Sequence, residues 1–124
     1  MKFNILITGD AYDSLAGYSA LQFCNAALTA GHTIHQVFFY QSGVTHLQVA
    51  NPLADEFNSN QAWVALAKQH NIPLVVCISA AERRGVLGEQ DDSNSPHAYG
   101  NFAVEGLGSF HAACLESDRT VTFK

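Results

Sequence analysis

Short apolar runs recur along the chain and are separated by stretches with helical spacing of apolar residues. The runs cover residues 2–8, 33–40 and 74–78, and they are rich in β-branched and aromatic residues. The runs suit strands of a parallel sheet, and the last of them is continuously apolar from Leu74 to Ile78, as is typical of a strand buried on both faces. They predict three strands, and a fourth, closing strand is predicted over residues 119–123.

The intervening stretches predict helices with recognisable ends. Ser14 is a candidate N-cap for a first helix, which Gly31 ends in a left-handed conformation. Asn58 or Ser59 can cap a second helix that runs to about His70. Residues 106–117 return to helical spacing, and their predicted buried stripe is Leu107, Phe110, His111, Cys114 and Leu115.

Strand, helix and strand within about forty residues form a βαβ unit, whose crossover should be right-handed. Four strands interleaved with helices predict a three-layer α/β sandwich around a mostly parallel sheet, of flavodoxin- or Rossmann-like type. The length of 124 residues, without an internal repeat or linker, predicts a single domain over residues 1–124. Residues 41–58 read as irregular, with a short helical turn fitting residues 45–49, and residues 85–100 read as a mobile loop.

The third strand ends at a cysteine that precedes a helix. Ser79 and Glu82 have the spacing of a capping box, which predicts that this helix begins just after Ser79. Cys77 would then lie at the carboxyl edge of the sheet, where ligands collect in open parallel sheets. The helix N-terminus and the arginines at 83 and 84 would favour a reachable thiolate there.

The composition of the chain reduces the number of function classes to consider. The net charge of −5 and only six Lys and Arg residues argue against direct binding of a nucleic acid backbone. Three cysteines without a Cys-x-x-Cys pair indicate a reduced, cytoplasmic setting, and Cys24 and Cys114 read as helical core residues. No segment has the length of a signal-peptide core or of a membrane span.

Several common chemistries lack their motifs. The loop after the first strand has one glycine, so neither a phosphate loop nor a dinucleotide fingerprint is present. There is no Gly-x-Ser-x-Gly elbow, and the six histidines are scattered without metal-ligand spacing, so no metal site is expected. Of the chemistries considered, the one based on a cysteine thiol is left as the candidate.

With these residues the chain resembles the DsrE/TusD sulfurtransferase family of sulfur-relay proteins along nearly its whole length. The most specific block runs from Cys77 to Val86 and contains the paired arginines. Supporting matches are residues 3–9 with Ala11-Tyr12, residues 37–40 with Gly43-Val44, residues 55–57, Ala62-Trp63, residues 106–108 and Asp118-Arg119. Glu82 departs from the family pattern, in which an aliphatic residue is more usual.

The resemblance implies that Cys77 carries sulfur as a persulfide, without a cofactor. It implies a TusA-like donor, a TusE-like acceptor, and TusB-like and TusC-like paralogous subunits in a heterohexamer that serves 2-thiolation of the tRNA wobble uridine. Loop residues that would shape the pocket around the thiol are Asp10, Tyr12, Tyr40, Ser79 and Arg83.

Three other interpretations remain open at this point. The same fold could serve a DsrE-like complex of sulfur oxidation, or a non-catalytic assembly subunit in which Cys77 merely packs. A flavodoxin-like cofactor binder is the third, and it would be yellow when purified. Thiol reactivity separates the catalytic from the packing interpretation.

Overall fold

Six strands form one sheet in the computed structural model, which describes residues 1–48, 57–87, 98, 99 and 101–124. The strand order is β4-β5-β3-β2-β1-β6, and every neighbouring pair is parallel except β4 with β5. The strands are β1 Lys2–Ile7, β2 Thr33–Phe39, β3 Leu74–Cys77, β4 Ala98–Tyr99, β5 Phe102–Glu105 and β6 Arg119–Phe123.

The helices of the described ranges are α1 Ala16–Thr29, a 3-10 helix Gln41–Leu47, α2 Ser59–His70, α3 Ile78–Arg83 and α4 Leu107–Glu116. Several predicted helix ends are confirmed. The Asn58 side chain caps α2 by accepting from the backbone N–H of Gln61, and Gly31 follows α1 at φ +89°. The predicted N-cap at Ser14 is wrong by one residue: Leu15 holds the N-cap position of α1 without a side-chain cap, and Ser14 lies just ahead of it with its Oγ accepting from the N–H of Ala16 at 3.0 Å.

Two adjacent aromatic residues of β2 demonstrate that helices cover both faces of the sheet. Phe39 contacts Trp63 of α2 with ring centroids 5.7 Å apart, whereas Phe38 contacts Phe110 of α4 at 5.4 Å. Successive strand residues point to opposite faces, so α2 and α4 lie on opposite sides. The connection from β5 to β6 runs back across the sheet, and a right-handed crossover then requires α4 on the far face. The predicted three-layer α/β sandwich is confirmed.

The predicted start of α3 is wrong. This helix begins at Ile78, with Cys77 itself at the N-cap position in an extended conformation and without a side-chain cap. Strand β3 passes into the helix with no connecting residue. Ser79 therefore lies inside the first turn, where the backbone is already helical, and it is exposed.

The predicted buried stripe of α4 is also wrong for most of its members. Ala113 is buried and Phe110 is half-buried, but Leu107 and Leu115 are 48% and 75% exposed. Only one narrow face of α4 packs against the sheet, so the side chains on either side of that face are exposed to solvent. Cys114 is half-buried in polar surroundings, since its Sγ accepts hydrogen bonds from Asn4 Nδ2 at 3.4 Å and Thr120 Oγ1 at 3.5 Å. Cys24, in contrast, is fully buried as predicted.

The sequence pattern missed the pair β4 and β5. Residues 98 and 99, predicted as loop, form a two-residue strand antiparallel to β5. Residues 88–97 and 100 of the predicted mobile loop lie outside the described residues, as do residues 49–56 of the predicted irregular region. The predicted helical turn at 45–49 is observed earlier, as the 3-10 helix.

Candidate functional site: the carboxyl edge of the sheet

Cys77 is the last residue of β3, where it pairs with Glu105 of β5. It alternates with Val76 along the strand, so it shares a face with Val75 and, across the sheet, with Phe38. This is the face that α4 covers. The Cys77 side chain is 2% exposed, so the reachable thiol expected from the sequence is enclosed in the isolated chain.

The two arginines lie at the far end of α3 from the cysteine. Arg83 is exposed in the last turn, about 9 Å along the helix axis from Cys77 at the usual rise per residue. Arg84 follows at the C-cap, and its Nη1 donates to the carbonyl oxygen of Ala80 at 3.3 Å. Both cations thus lie near the C-terminus of the helix, away from the thiol.

Asp10 organises the loop after β1. One of its carboxylate oxygens accepts from the backbone N–H groups of Tyr12 at 2.7 Å and Asp13 at 3.0 Å. Burial raises the pKa of Asp10, but these two hydrogen bonds, a bond with Thr45 and the charge interaction with His46 outweigh it and lower the pKa below its usual value. The loop is also fixed by the Ala11 N–H, which donates to Thr45 Oγ1 at 2.9 Å.

His46 is a fully buried histidine next to this loop. Its Nδ1 lies 2.5 Å from Ser59 Oγ and its Nε2 lies 3.1 Å from the carbonyl oxygen of Gly9. Burial lowers the pKa of His46, against the Gly9 hydrogen bond and the Asp10 charge, so the ring is neutral at pH 7. Because a carbonyl oxygen only accepts, the ring proton is on Nε2, and Nδ1 accepts from the Ser59 hydroxyl.

Two glycines allow this arrangement. A Cβ added at Gly17 would lie 2.2 Å from His46 Cε1, so α1 approaches the imidazole directly. A Cβ added at Gly43 would lie 2.1 Å from the carbonyl oxygen of Ile7, so the 3-10 helix rests on the end of β1. Small residues at both positions bring His46 between α1, α2 and the first loop.

A cleft of about 450 Å³ opens beside His46. Its walls come from the first loop, the start of α1, the 3-10 helix and the start of α2. The lining residues are Ala11, Tyr12, Ser14, Leu15, Tyr18, His46, Phe57 and Ser59.

The predicted site residues therefore separate into two places. Tyr12 lines the cleft and Asp10 shapes its loop, whereas Cys77, Ser79 and Arg83 belong to β3 and α3. Strand β2 lies between β1 and β3, so the two places belong to different strands of the sheet, although the 3-10 helix that carries His46 also packs against β3 and α3.

Tyr40 lies between these two places and is half-buried against the core. Its N–H donates to the Ile7 carbonyl at 2.9 Å, which continues the pairing of β1 with β2.

His46 and the cleft were missed by sequence reasoning. The partners of His46 are 37 and 13 residues away in the chain, and no local motif marks them. Within the described ranges, no three His, Cys, Asp or Glu side chains converge to hold a metal ion. None of the helices in the described part of the chain is long and apolar enough to cross a membrane.

Comparisons with known proteins agree on one family. A model described as the DsrE/DsrF-like family matches residues 1–123. Among curated proteins, Sulfurtransferase TusD of Proteus mirabilis is 42% identical over 99% of this chain and 98% of that protein, and Sulfurtransferase TusD of Serratia proteamaculans is 42% identical over 99% of each. A Sulfurtransferase TusD homolog of Vibrio vulnificus is 40% identical over 99% of this chain and 98% of that protein.

Among solved structures, the ychN protein from E. coli superposes with a TM-score of 0.79 over 99% of both chains. At 17% identity this likeness concerns the fold alone.

Proposed function

The chain belongs to the DsrE/DsrF-like family and is a sulfurtransferase, and we propose that it carries sulfur as a persulfide on Cys77. The observation that carries the proposal is the position of this cysteine. Cys77 ends a central parallel strand at the carboxyl edge of the sheet, whereas Cys24 and Cys114 lie within helices. That edge is where open α/β sheets bind their ligands.

The transfer consists of two thiol exchanges. In the first, the Cys77 thiolate attacks the terminal sulfur of a donor persulfide; a new S–S bond forms on Cys77, the S–S bond of the donor breaks, and the donor leaves as a thiolate. In the second, an acceptor thiolate attacks the terminal sulfur on Cys77 and releases the Cys77 thiolate. The two steps are balanced without an external oxidant or reductant, and no cofactor is needed.

The enclosure of Cys77 adds a requirement to this chemistry. A thiol that is 2% exposed cannot meet the thiolate of another protein until the groups around it move. We therefore expect that contact with the donor or acceptor opens the end of β3. Loading by a small persulfide should then be slow in the isolated chain and faster in the presence of a partner.

The partners in this proposal are a TusA-like donor and a TusE-like acceptor, with TusB-like and TusC-like subunits beside this chain in a cytoplasmic complex. The final product would be the 2-thiolated wobble uridine of tRNA. The net charge of −5 supports a role that serves tRNA through proteins rather than by direct contact. The exposed Leu107 and Leu115 of α4 support assembly with other subunits, since exposed apolar side chains on one helix favour protein contacts.

The same burial favours a second candidate function, a non-catalytic assembly subunit in which Cys77 only packs. Free cysteine is among the residue types most often buried for packing alone. The two candidates differ in one property, which is whether sulfur from a donor ever becomes attached to this side chain.

Radiolabelled sulfane sulfur transferred from a small persulfide to purified variants tests the proposal. We expect wild type, Cys24→Ala and Cys114→Ala to retain label, and Cys77→Ser to lose it. The Cys24→Ala and Cys114→Ala variants are matched controls, because each removes a thiol that lies in a helix. Because the enclosed thiol should load slowly, the incubation is continued until the label on wild type reaches a plateau, and equal labelling of Cys77→Ser and wild type at that point would contradict the proposal and favour the packing role.

A further inference from the structure

The cleft beside His46 gathers exposed apolar side chains. Tyr12, Leu15, Tyr18 and Phe57 line it, and they are 59%, 78%, 47% and 52% exposed. The Tyr18 and Phe57 rings meet edge to face, with centroids 5.4 Å apart and planes at 88°. Two perpendicular aromatic walls at the surface form a corner of the kind that receives a side chain from another molecule.

Ser59 presents a hydrogen-bond acceptor to the cleft. The Ser59 hydroxyl donates its only proton to His46 Nδ1, because Nε2–H of the same ring is committed to the Gly9 carbonyl. The lone pairs of Ser59 Oγ remain for a ligand, so this group accepts and does not donate. A ligand group that reaches this oxygen must therefore bring its own N–H or O–H.

Two carboxylates belong to the loop that forms one wall of the cleft. Asp10 holds the loop that forms one wall and stays ionised, and Asp13 is exposed on the same loop. The chain as a whole carries a net charge of −5. Aromatic ring faces attract cations, and they do so most effectively where carboxylates are near.

We propose that this cleft binds an arginine side chain of a partner protein. A guanidinium group has five N–H donors and no acceptor, which complements Ser59 Oγ, and its plane stacks on aromatic rings. The exposed Leu15 at the rim provides apolar surface for the chain around that arginine. Tyrosine, phenylalanine and leucine around a buried polar anchor form the kind of surface found at the centre of protein interfaces. Cys77 is not among the residues that line the cleft, and this proposal does not depend on sulfur transfer.

An amide NMR titration with Nα-acetyl-arginine amide tests the proposal, with Nα-acetyl-citrulline amide as the matched neutral probe. Citrulline keeps the shape of the side chain and replaces the guanidinium by urea. We expect saturable shifts at Ala11, Tyr12, Tyr18 and Ser59, and about five-fold tighter binding of the arginine probe. Added salt should weaken that preference.

Single substitutions show whether the arginine probe binds in the cleft. Tyr18→Leu keeps an apolar wall without a π face and should weaken the arginine probe about five-fold. Ser59→Ala should weaken it as well, while Leu115→Ala on the opposite side of the sheet should leave it unchanged. Equal affinity for citrulline, shifts confined to other surfaces, or no saturable shift would overturn the proposal. Tighter binding of free arginine than of the capped probe would overturn the assignment to a partner protein, because it would indicate a small-molecule site.

Discussion

Gly43→Ala is a substitution of one methyl group for which the structure predicts a large loss of stability. The new Cβ would lie 2.1 Å from the carbonyl oxygen of Ile7, which is about 1.3 Å short of the 3.4 Å at which ordinary contact begins. The obstacle is backbone and cannot rotate away, so the 3-10 helix or the end of β1 must shift. That same oxygen accepts from the Tyr40 N–H at 2.9 Å, and a shift weakens this bond too.

The two effects set the magnitude. Overpacking costs about 1–3 kcal/mol, and a weakened hydrogen bond adds about 1 kcal/mol. We therefore expect a loss of about 2–4 kcal/mol in the free energy of unfolding, which lowers the Tm on the order of 10 °C for a chain of this size. Thermal and urea unfolding monitored by circular dichroism measure both quantities.

Gly108→Ala is the matched control. It makes the same chemical change within α4, where a Cβ meets no heavy atom within 4 Å. We expect its Tm to equal or exceed that of wild type, because alanine is the better helix former. If Gly43→Ala unfolds at the wild-type temperature, the close approach of the 3-10 helix to β1 described above is incorrect.

Three further predictions concern single side chains. Burial raises the pKa of Cys24 to about 12 from 9.0, so the fraction of thiolate in the native chain should be about a thousand-fold smaller than for an exposed cysteine. Alkylation of Cys24 should therefore require unfolding, and peptide mass spectrometry at successive times measures its rate. The pKa of His46 is lowered in the folded state, so below pH 6.5 the unfolded chain binds more protons than the folded chain. The free energy of unfolding should therefore decrease as the pH drops through that value. Urea titrations at several pH values should show a weaker pH dependence for His46→Gln than for wild type. Asn71 ends α2 in a left-handed conformation at φ 55°. Asn71→Val should therefore lower the free energy of unfolding by about 1–2 kcal/mol, whereas Asn71→Gly should not. Equal melting temperatures of the two variants would contradict this prediction.

Local patterns in the sequence predicted the central elements well. The apolar run that became β3 and the Asn58 cap of α2 depend on neighbouring residues only, and both are confirmed. The fold class followed from the alternation of strands and helices. The two-residue strand β4 could not be predicted in this way, since its pairing with β5 is not encoded in a periodic pattern.

The predictions from the sequence were wrong where tertiary contacts determine the local structure. Ser79 and Glu82 have capping-box spacing, but β3 enters α3 without a connecting residue and Cys77 takes the cap position. Leu107 and Leu115 have core spacing, yet only one narrow line of α4 reaches the sheet. His46 looked like a scattered histidine because its partners are distant in the chain.

The central claim is that sulfur becomes attached to Cys77, and direct mapping of the modified residue tests it best. The wild-type chain, after incubation with a persulfide donor, would be alkylated and digested, and the peptide carrying each of the three cysteines would be analysed by mass spectrometry. We predict the mass of one added sulfur atom on the Cys77 peptide, and its loss when an acceptor thiol is supplied. A Cys77 peptide that stays unmodified while Cys114 takes up the sulfur would contradict the account.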